Sequence, residues 1–234
     1  FIDLGLKLKG DTSKVVMAGV TGRIQHGSVT AVMGPSGAGK TTFLTTLSGK
    51  ASYGIQTGTV LINGQERPIR DFKKVVGFVP QEDIMHRDLS VEETLMFHAR
   101  MRLPRETSTR DVHRRVKQVL TLLGLLEIRN SPIGDEDNRG ISGGQRKRVN
   151  IGMELIADCK CIFLDEPTSG LDSRSSMEVC DALRRIADTG VTIITVIHQP
   201  RYEIFCMFHR VLLLGKGGRV VFLGASDRAI EYFE

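Results

Sequence analysis

Apolar and polar residues alternate from the first positions of the chain. Ile2, Leu4, Leu6 and Leu8 are separated by Asp3, Gly5 and Lys7, the period-two pattern of a strand with one buried face. Val60-Leu61-Ile62 before Asn63-Gly64 predicts a second strand and a tight turn. The two are assigned to one small antiparallel sheet. Further on the alternation gives way to short, nearly continuous β-branched runs at 29–33, 75–79, 161–164, 192–197 and 211–214. Strands of a parallel sheet need such runs, because helices cover both faces. The fold class is therefore α/β, with a mostly parallel sheet.

Between the second and third of these runs the period changes to that of helices, across an insert at about 82–157. Ser90 and Glu93 form a capping box ahead of Val91, Leu95 and Ala99, which starts one helix. Val112, Val116, Val119, Leu120, Leu123 and Leu126 mark the apolar stripe of another, with Gly124 weakening its end. Pro104 and the 107–109 stretch separate the two. After the run at 211–214 the chain returns to a short strand, a Gly217-Gly218 turn and a last helical turn around Ile230. The expected organisation is one domain: a core with its antiparallel subdomain at 1–81 and 158–234, and a helical subdomain at 82–157.

Composition narrows this little. With 234 residues, 41% apolar and 25% charged, the chain is long enough for a sizeable core and is not a disordered one. A net charge of +5 permits an anionic partner such as nucleotide phosphates or a membrane surface. The densest basic clusters, Arg114-Arg115 and Arg146-Lys147-Arg148, have few aromatics beside them, so they read as solvated helix faces and no nucleic-acid partner is expected. Cys159, Cys161, Cys180 and Cys206 lack metal or disulfide spacing and read as reduced structural thiols of a cytosolic protein. No stretch approaches the ~20 apolar residues of a spanning helix. The chain begins at Phe1 and is read as an excised piece, with any membrane segment expected after Glu234.

Three segments carry chemistry. Gly34-Pro35-Ser36-Gly37-Ala38-Gly39-Lys40-Thr41 fits GxxxxGK[ST] between a predicted strand and the helix start at Thr42-Phe43-Leu44. Backbone N–H groups of such a loop curl around phosphates, and the helix N-terminus adds partial positive charge. Lys40 would reach the β and γ phosphates and Thr41 would hold Mg²⁺, so ATP with Mg²⁺ is the implied ligand, with Thr42 beside it. The run Cys161–Leu164 delivers Asp165 and Glu166 at the carboxyl end of a buried strand, where parallel sheets bind ligands. Asp165 suits Mg²⁺ through a water, leaving Glu166 as general base toward the attacking water.

Ser142-Gly143-Gly144-Gln145 is either a plain capped helix start or an anion-facing one, with Ser142 as the cap. Its company with the other two segments favours the second reading. Gln81, in Val79-Pro80-Gln81-Glu82, stands where core meets insert and is assigned to metal or water. His198, after the run at 192–197, is assigned to the γ phosphate. Asp172 either caps the helix bearing Met177, Cys180 and Leu183 or contacts a second copy. His26, His86, His98, His113 and His209 show no ligand spacing.

Together these residues resemble the nucleotide-binding domain of an ATP-binding cassette transporter, over essentially the whole chain. Gly34 to Thr41 is similar to Walker A, Gln81 to the Q-loop, Ile141 to Gln145 to the signature, Ile162 to Glu166 to Walker B, Asp172 to the D-loop and His198 to the switch histidine. Arg139 to Arg148, Gly152 to Ile156, Val79 to Asp83 and His198 to Tyr202 resemble phrases of the G subfamily, the white pigment and breast cancer resistance protein group. Two departures stand out: many members have Glu where Gln145 stands, and 14–17 offers no aromatic to stack on adenine.

The resemblance implies a P-loop core with the antiparallel sheet near the nucleotide base, and a head-to-tail dimer with an identical or different second nucleotide-binding domain. In that dimer Ser142, Gly143, Gly144 and Gln145 of one copy cover the phosphate held by Lys40 of the other. It also implies a membrane domain after this chain, a place at the cytosolic face, and export of lipid-like or amphipathic substrates. The alternative is a soluble cassette ATPase acting on ribosomes or DNA.

Overall fold

The computed structural model describes residues 1–10, 14–135 and 140–233. Arg139, which opens one of the subfamily-like phrases, lies outside them. The strands are β1 (Ile2–Leu8), β2 (Val15–Val20), β3 (Val29–Met33), β4 (Gly54–Thr59), β5 (Leu61–Ile62), β6 (Gln65–Glu66), β7 (Val76–Val79), β8 (Cys161–Leu164), β9 (Thr192–Val196), β10 (Arg210–Leu214) and β11 (Val220–Ala225). The α-helices are α1 (Lys40–Leu47), α2 (Val91–Arg102), α3 (Thr109–Leu122), α4 (Gly143–Leu155), α5 (Ser173–Asp188), α6 (Tyr202–Phe205) and α7 (Asp227–Phe233).

The five β-branched runs and β11 form one six-stranded sheet in the order β11-β10-β3-β9-β8-β7, parallel except for β11, which returns antiparallel along β10. Every residue of β3 is buried, as a strand covered on both faces requires. One face packs on α1, where Phe43 and Leu44 meet Val32, Phe163, Ile194 and Leu212. The other packs on a larger cluster that runs without a break from Val29, Ile162 and Ile193 into Leu95, Val116 and Leu123 of the helical insert. The insert therefore shares the core of the sheet.

Three sequence readings need correction. The strand at 61–62 does not join β1: it pairs with β6 in a two-stranded hairpin around Asn63-Gly64, and β1 lies between β2 and β4. Both edges of β1 are taken by β2 and β4, and the two-residue turn pairs β5 with β6 instead. Gly124 does not weaken α3 from inside. It follows the last turn at φ +66°, where its N–H bonds the Thr121 carbonyl and the Leu125 N–H bonds Leu120, the glycine-terminated ending of a helix. Finally, Cys159 and Cys180 are buried and all four cysteines are free, but Cys206 is exposed, so it packs no core. Burial pushes the thiols of Cys159, Cys161 and Cys180 up to about 12, which makes them poor nucleophiles.

Candidate functional site

Four neighbouring parallel strands deliver the candidate residues to one edge of the sheet. β3 ends at the loop from Gly34, β9 precedes His198, β8 precedes Asp165-Glu166, and β7 precedes Gln81. Because the strands lie side by side in register, with Val79, Leu164 and Thr195 aligned, their carboxyl ends open on the same side. A ligand crevice is expected there on general grounds.

The loop is tight. Gly34 takes φ +149° and a Cβ on it would sit 2.2 Å from the Leu214 carbonyl oxygen, so only glycine fits. Ala38 is buried beneath the loop, its N–H bonded to the Pro35 carbonyl at 3.2 Å. No side chain caps α1, whose N-cap is Gly39. The Lys40 ammonium donates to the carbonyls of Gly34 and Pro35 at 3.0 and 3.1 Å. The residue is only 7% exposed and forms no ion pair among the described residues. A cation so buried, with only carbonyl partners, suits an incoming anion.

A cavity of about 690 Å³ opens at this edge, lined by Ser36, Gly37, Gly39, Lys40, Thr41, Thr42, Glu166 and His198 from the sequence reading, together with Thr168, Ser169 and Gly170. The sequence reading does not assign those last three, and the signal that could find them is their place directly after the Asp-Glu strand end. The Thr41 hydroxyl donates to Asp165 Oδ1 at 3.1 Å. Burial raises the Asp165 carboxyl above its ordinary value, the Thr41 hydrogen bond lowers it, and the neighbouring Glu166 carboxylate raises it further. Glu166 itself takes φ +45°, a left-handed conformation unusual for a residue with a Cβ. Gln199, after His198, does the same at φ +42°. Such strain clusters at functional sites.

Gln81, Asp165, Asp172 and Ser142 to Gln145 do not line this cavity. The Gln81 amide reaches toward Ser169 Oγ at 3.5 Å, the far limit of a hydrogen bond. Ser142 caps α4: its hydroxyl accepts from the Gln145 N–H at 3.2 Å while the Gln145 side-chain oxygen accepts from the Ser142 N–H at 2.8 Å. That second acceptor can be an amide or a carboxylate oxygen, so Gln145 completes the box as a Glu would. Asp172 caps α5, accepting from the N–H groups of Arg174 and Ser175 at 2.9 and 3.0 Å and from the Ser175 hydroxyl at 2.7 Å. The two caps touch: a Cβ on Gly144 would lie 2.7 Å from Ser175 Cβ. The cap reading of Asp172 thus holds. His209 is structural, its Nδ1 accepting from the Val29 N–H at 3.1 Å, and no metal-sized cluster of His, Cys, Asp or Glu occurs among the described residues.

The family model described as ABC transporter matches residues 17–169, more than half of the chain and across the phosphate loop, α4 and the Asp-Glu strand end. The chain belongs to the ABC transporter family. It is thereby an ATP-binding domain of ABC-type ATPases. A second model, described as ABC-2 type transporter, matches 198–234. Among its relatives, ABC transporter G family member 28 of Arabidopsis thaliana is 51% identical over 233 residues, 100% of this chain and 21% of the relative. Putative white-brown complex homolog protein 30 of the same plant is 50% identical over 233 residues, again 100% and 21%. ABC transporter G family member 1 of Dictyostelium discoideum is 42% identical over 227 residues, 96% of this chain and 28% of the relative. The chain therefore spans between a fifth and three tenths of the length of these relatives, and its likeness runs to the G family. No helix among the described residues is long and apolar enough to cross a membrane.

Proposed function

We propose that this domain hydrolyses Mg²⁺-ATP at the cytosolic face of a membrane and so drives export of lipid-like or amphipathic substrates by a G-type half-transporter. The observation that carries it is the gathering of Lys40, Thr41, Glu166 and His198 around one cavity, with Asp165 bonded to Thr41. Thr41 and Asp165 bring hard oxygen donors, the set Mg²⁺ prefers, and the Gln81 side chain would be the third ligand. When bound, the metal supplies neutralisation of charge on the phosphates.

Lys40 leaves the carbonyls of Gly34 and Pro35 for the β and γ phosphates, joined by the N–H groups of the loop from Gly34 to Thr42. Glu166 accepts the proton of the attacking water. His198 hydrogen-bonds the γ phosphate and holds it in line. The α4 start, Ser142 to Gln145, covers that phosphate from a second nucleotide-binding domain, with Asp172 at the seam. The ends of α4 and α5 touch through Gly144 and Ser175, which supports their acting on the partner as one surface.

Docking of the membrane domain is assigned to the helical insert. Phe97 and Met101, one turn apart on α2, are 51% and 71% exposed, and Ile84 is 69% exposed. Exposed apolar side chains mark an interaction surface where they adjoin, and Phe97 and Met101 at i and i+4 are neighbours on the helix surface. The match to the ABC-2 type transporter model at 198–234 supports a membrane partner over the ribosome or DNA alternative.

The test uses full-length protein in proteoliposomes, with and without a panel of amphipathic substrates. Hydrolysis that amphiphiles stimulate, with substrate moved in an ATP-dependent way and both lost in Lys40→Ala, is the expected result. Hydrolysis indifferent to lipid and amphiphile but stimulated by ribosomes or DNA would overturn it. Pairing across the seam is tested by co-expressing Lys40→Ala and Ser142→Glu chains. In a head-to-tail dimer of these copies one of the two sites is intact and activity returns, whereas sites built within one chain stay dead.

A further inference from the structure

Segment 80–86, which carries Gln81 from β7 into the helical insert, makes no backbone–backbone hydrogen bond among the described residues. Pro80 has no N–H to offer. What holds the segment is a side chain of α4: the Lys147 ammonium donates to the Gln81 carbonyl at 2.7 Å and pairs with Asp83 Oδ1 at 2.6 Å. Asn150 Nδ2 donates to the same Asp83 oxygen at 3.1 Å. The Lys147 side chain is 4% exposed and that of Asp83 is 21% exposed, so the pair is largely out of water, where removing one partner leaves the other charge poorly solvated. A solvated lysine on a helix face, the sequence reading of the Arg146-Lys147-Arg148 cluster, does not describe it.

Lys147 lies on the helix that Ser142 caps. We infer that Lys147, held by Asp83 and Asn150, is a positioning residue that fixes the Gln81 loop to α4, so that Gln81 of one site and Ser142 of the opposite site move as one body. The inference deepens the proposed function and rests on the roles given there to Gln81 and Ser142. Its chemistry is specific. An ammonium can serve a carbonyl and a carboxylate at once, and an apolar side chain of the same length can serve neither.

The experiment compares full-length wild type with Lys147→Met, Lys147→Arg, Asp83→Asn/Lys147→Met and Gln81→Ala. It measures the rate of limited proteolysis within 81–86, ATP affinity and kcat. Lys147→Met is expected to raise that rate by at least about tenfold, since the bonds to the Gln81 carbonyl and to Asp83 are both lost, and to lower kcat while ATP affinity stays within about twofold. Lys147→Arg should recover most of both. The double variant, which leaves no unpaired carboxylate, should show the same local cleavage with the fold intact. Unchanged cleavage at 81–86, or a rise spread evenly through α3 and α5, would overturn the inference. Gln81→Ala separates the two claims. Normal turnover in that variant refutes the role of Gln81 itself, while the cleavage rates still decide whether Lys147 holds the loop.

Discussion

The Thr41 hydroxyl lies 3.1 Å from Asp165 Oδ1, across 124 residues of sequence. That bond ties the start of α1 to the end of β8 and brings both oxygens to the place proposed for Mg²⁺. Asp165→Asn keeps the shape and removes the charge. It is expected to weaken Mg²⁺ binding by about 10–100-fold, with Thr41→Ala in the same direction and Thr41→Ser much milder. Titration of Mn²⁺ by paramagnetic resonance in the presence of ATP reads this directly, and equal affinity in all three variants would contradict it.

Gly144 has no room for a methyl group, since its Cβ would meet Ser175 at 2.7 Å. Gly144→Ala should therefore push α4 from α5 at a cost of about 1–3 kcal/mol. Lower thermal stability with reduced hydrolysis, but near-normal ATP binding at Lys40, is the expected pattern. Wild-type stability would mean that the two helix ends yield easily.

The Asp172 cap gives a pH dependence. The Ser175 N–H first, and the Ser175 hydroxyl next, hold its carboxyl below the ordinary value. A carboxyl depressed on folding adds stability that is present above the unfolded value of about 3.9 and is lost as pH falls through the folded value. The melting temperature of wild type should exceed that of Asp172→Ala at neutral pH, and the gap should close below about pH 4. A gap that persists at pH 2.5 would show that the charge is not what the cap uses.

Phe97 and Met101 carry the docking proposal. Phe97→Asp should leave ATP binding and basal hydrolysis within about twofold, because it lies on the surface of α2 away from the cavity, and should abolish stimulation by transported amphiphiles. Undiminished stimulation would place the membrane contact elsewhere.

Much of this fold could be read in the sequence because its strands are covered on both faces. Five β-branched runs became the five parallel strands, each within a residue or so of the expected ends. The phosphate loop, the Asp165-Glu166 pair and His198 were legible because each directly follows such a strand. The partners of β1 were not. β2 and β4 contain glycines and exposed residues, as in Gly54–Thr59, so their alternation is weak, and the apolar run at 60–62 is the clearer signal. The buried role of Lys147 was also hidden. One basic residue in a charged triplet looks like a surface feature until the turn of α4 points it at the Gln81 carbonyl.

The most direct measurement is hydrolysis by full-length Glu166→Gln beside wild type, with ATP binding followed on the same samples. The glutamine keeps the shape of Glu166 and cannot take a proton from water. The expected result is ATP bound as in wild type and turnover lower by about two to four orders of magnitude. Near-normal turnover in Glu166→Gln would contradict the assignment of Glu166 as the base.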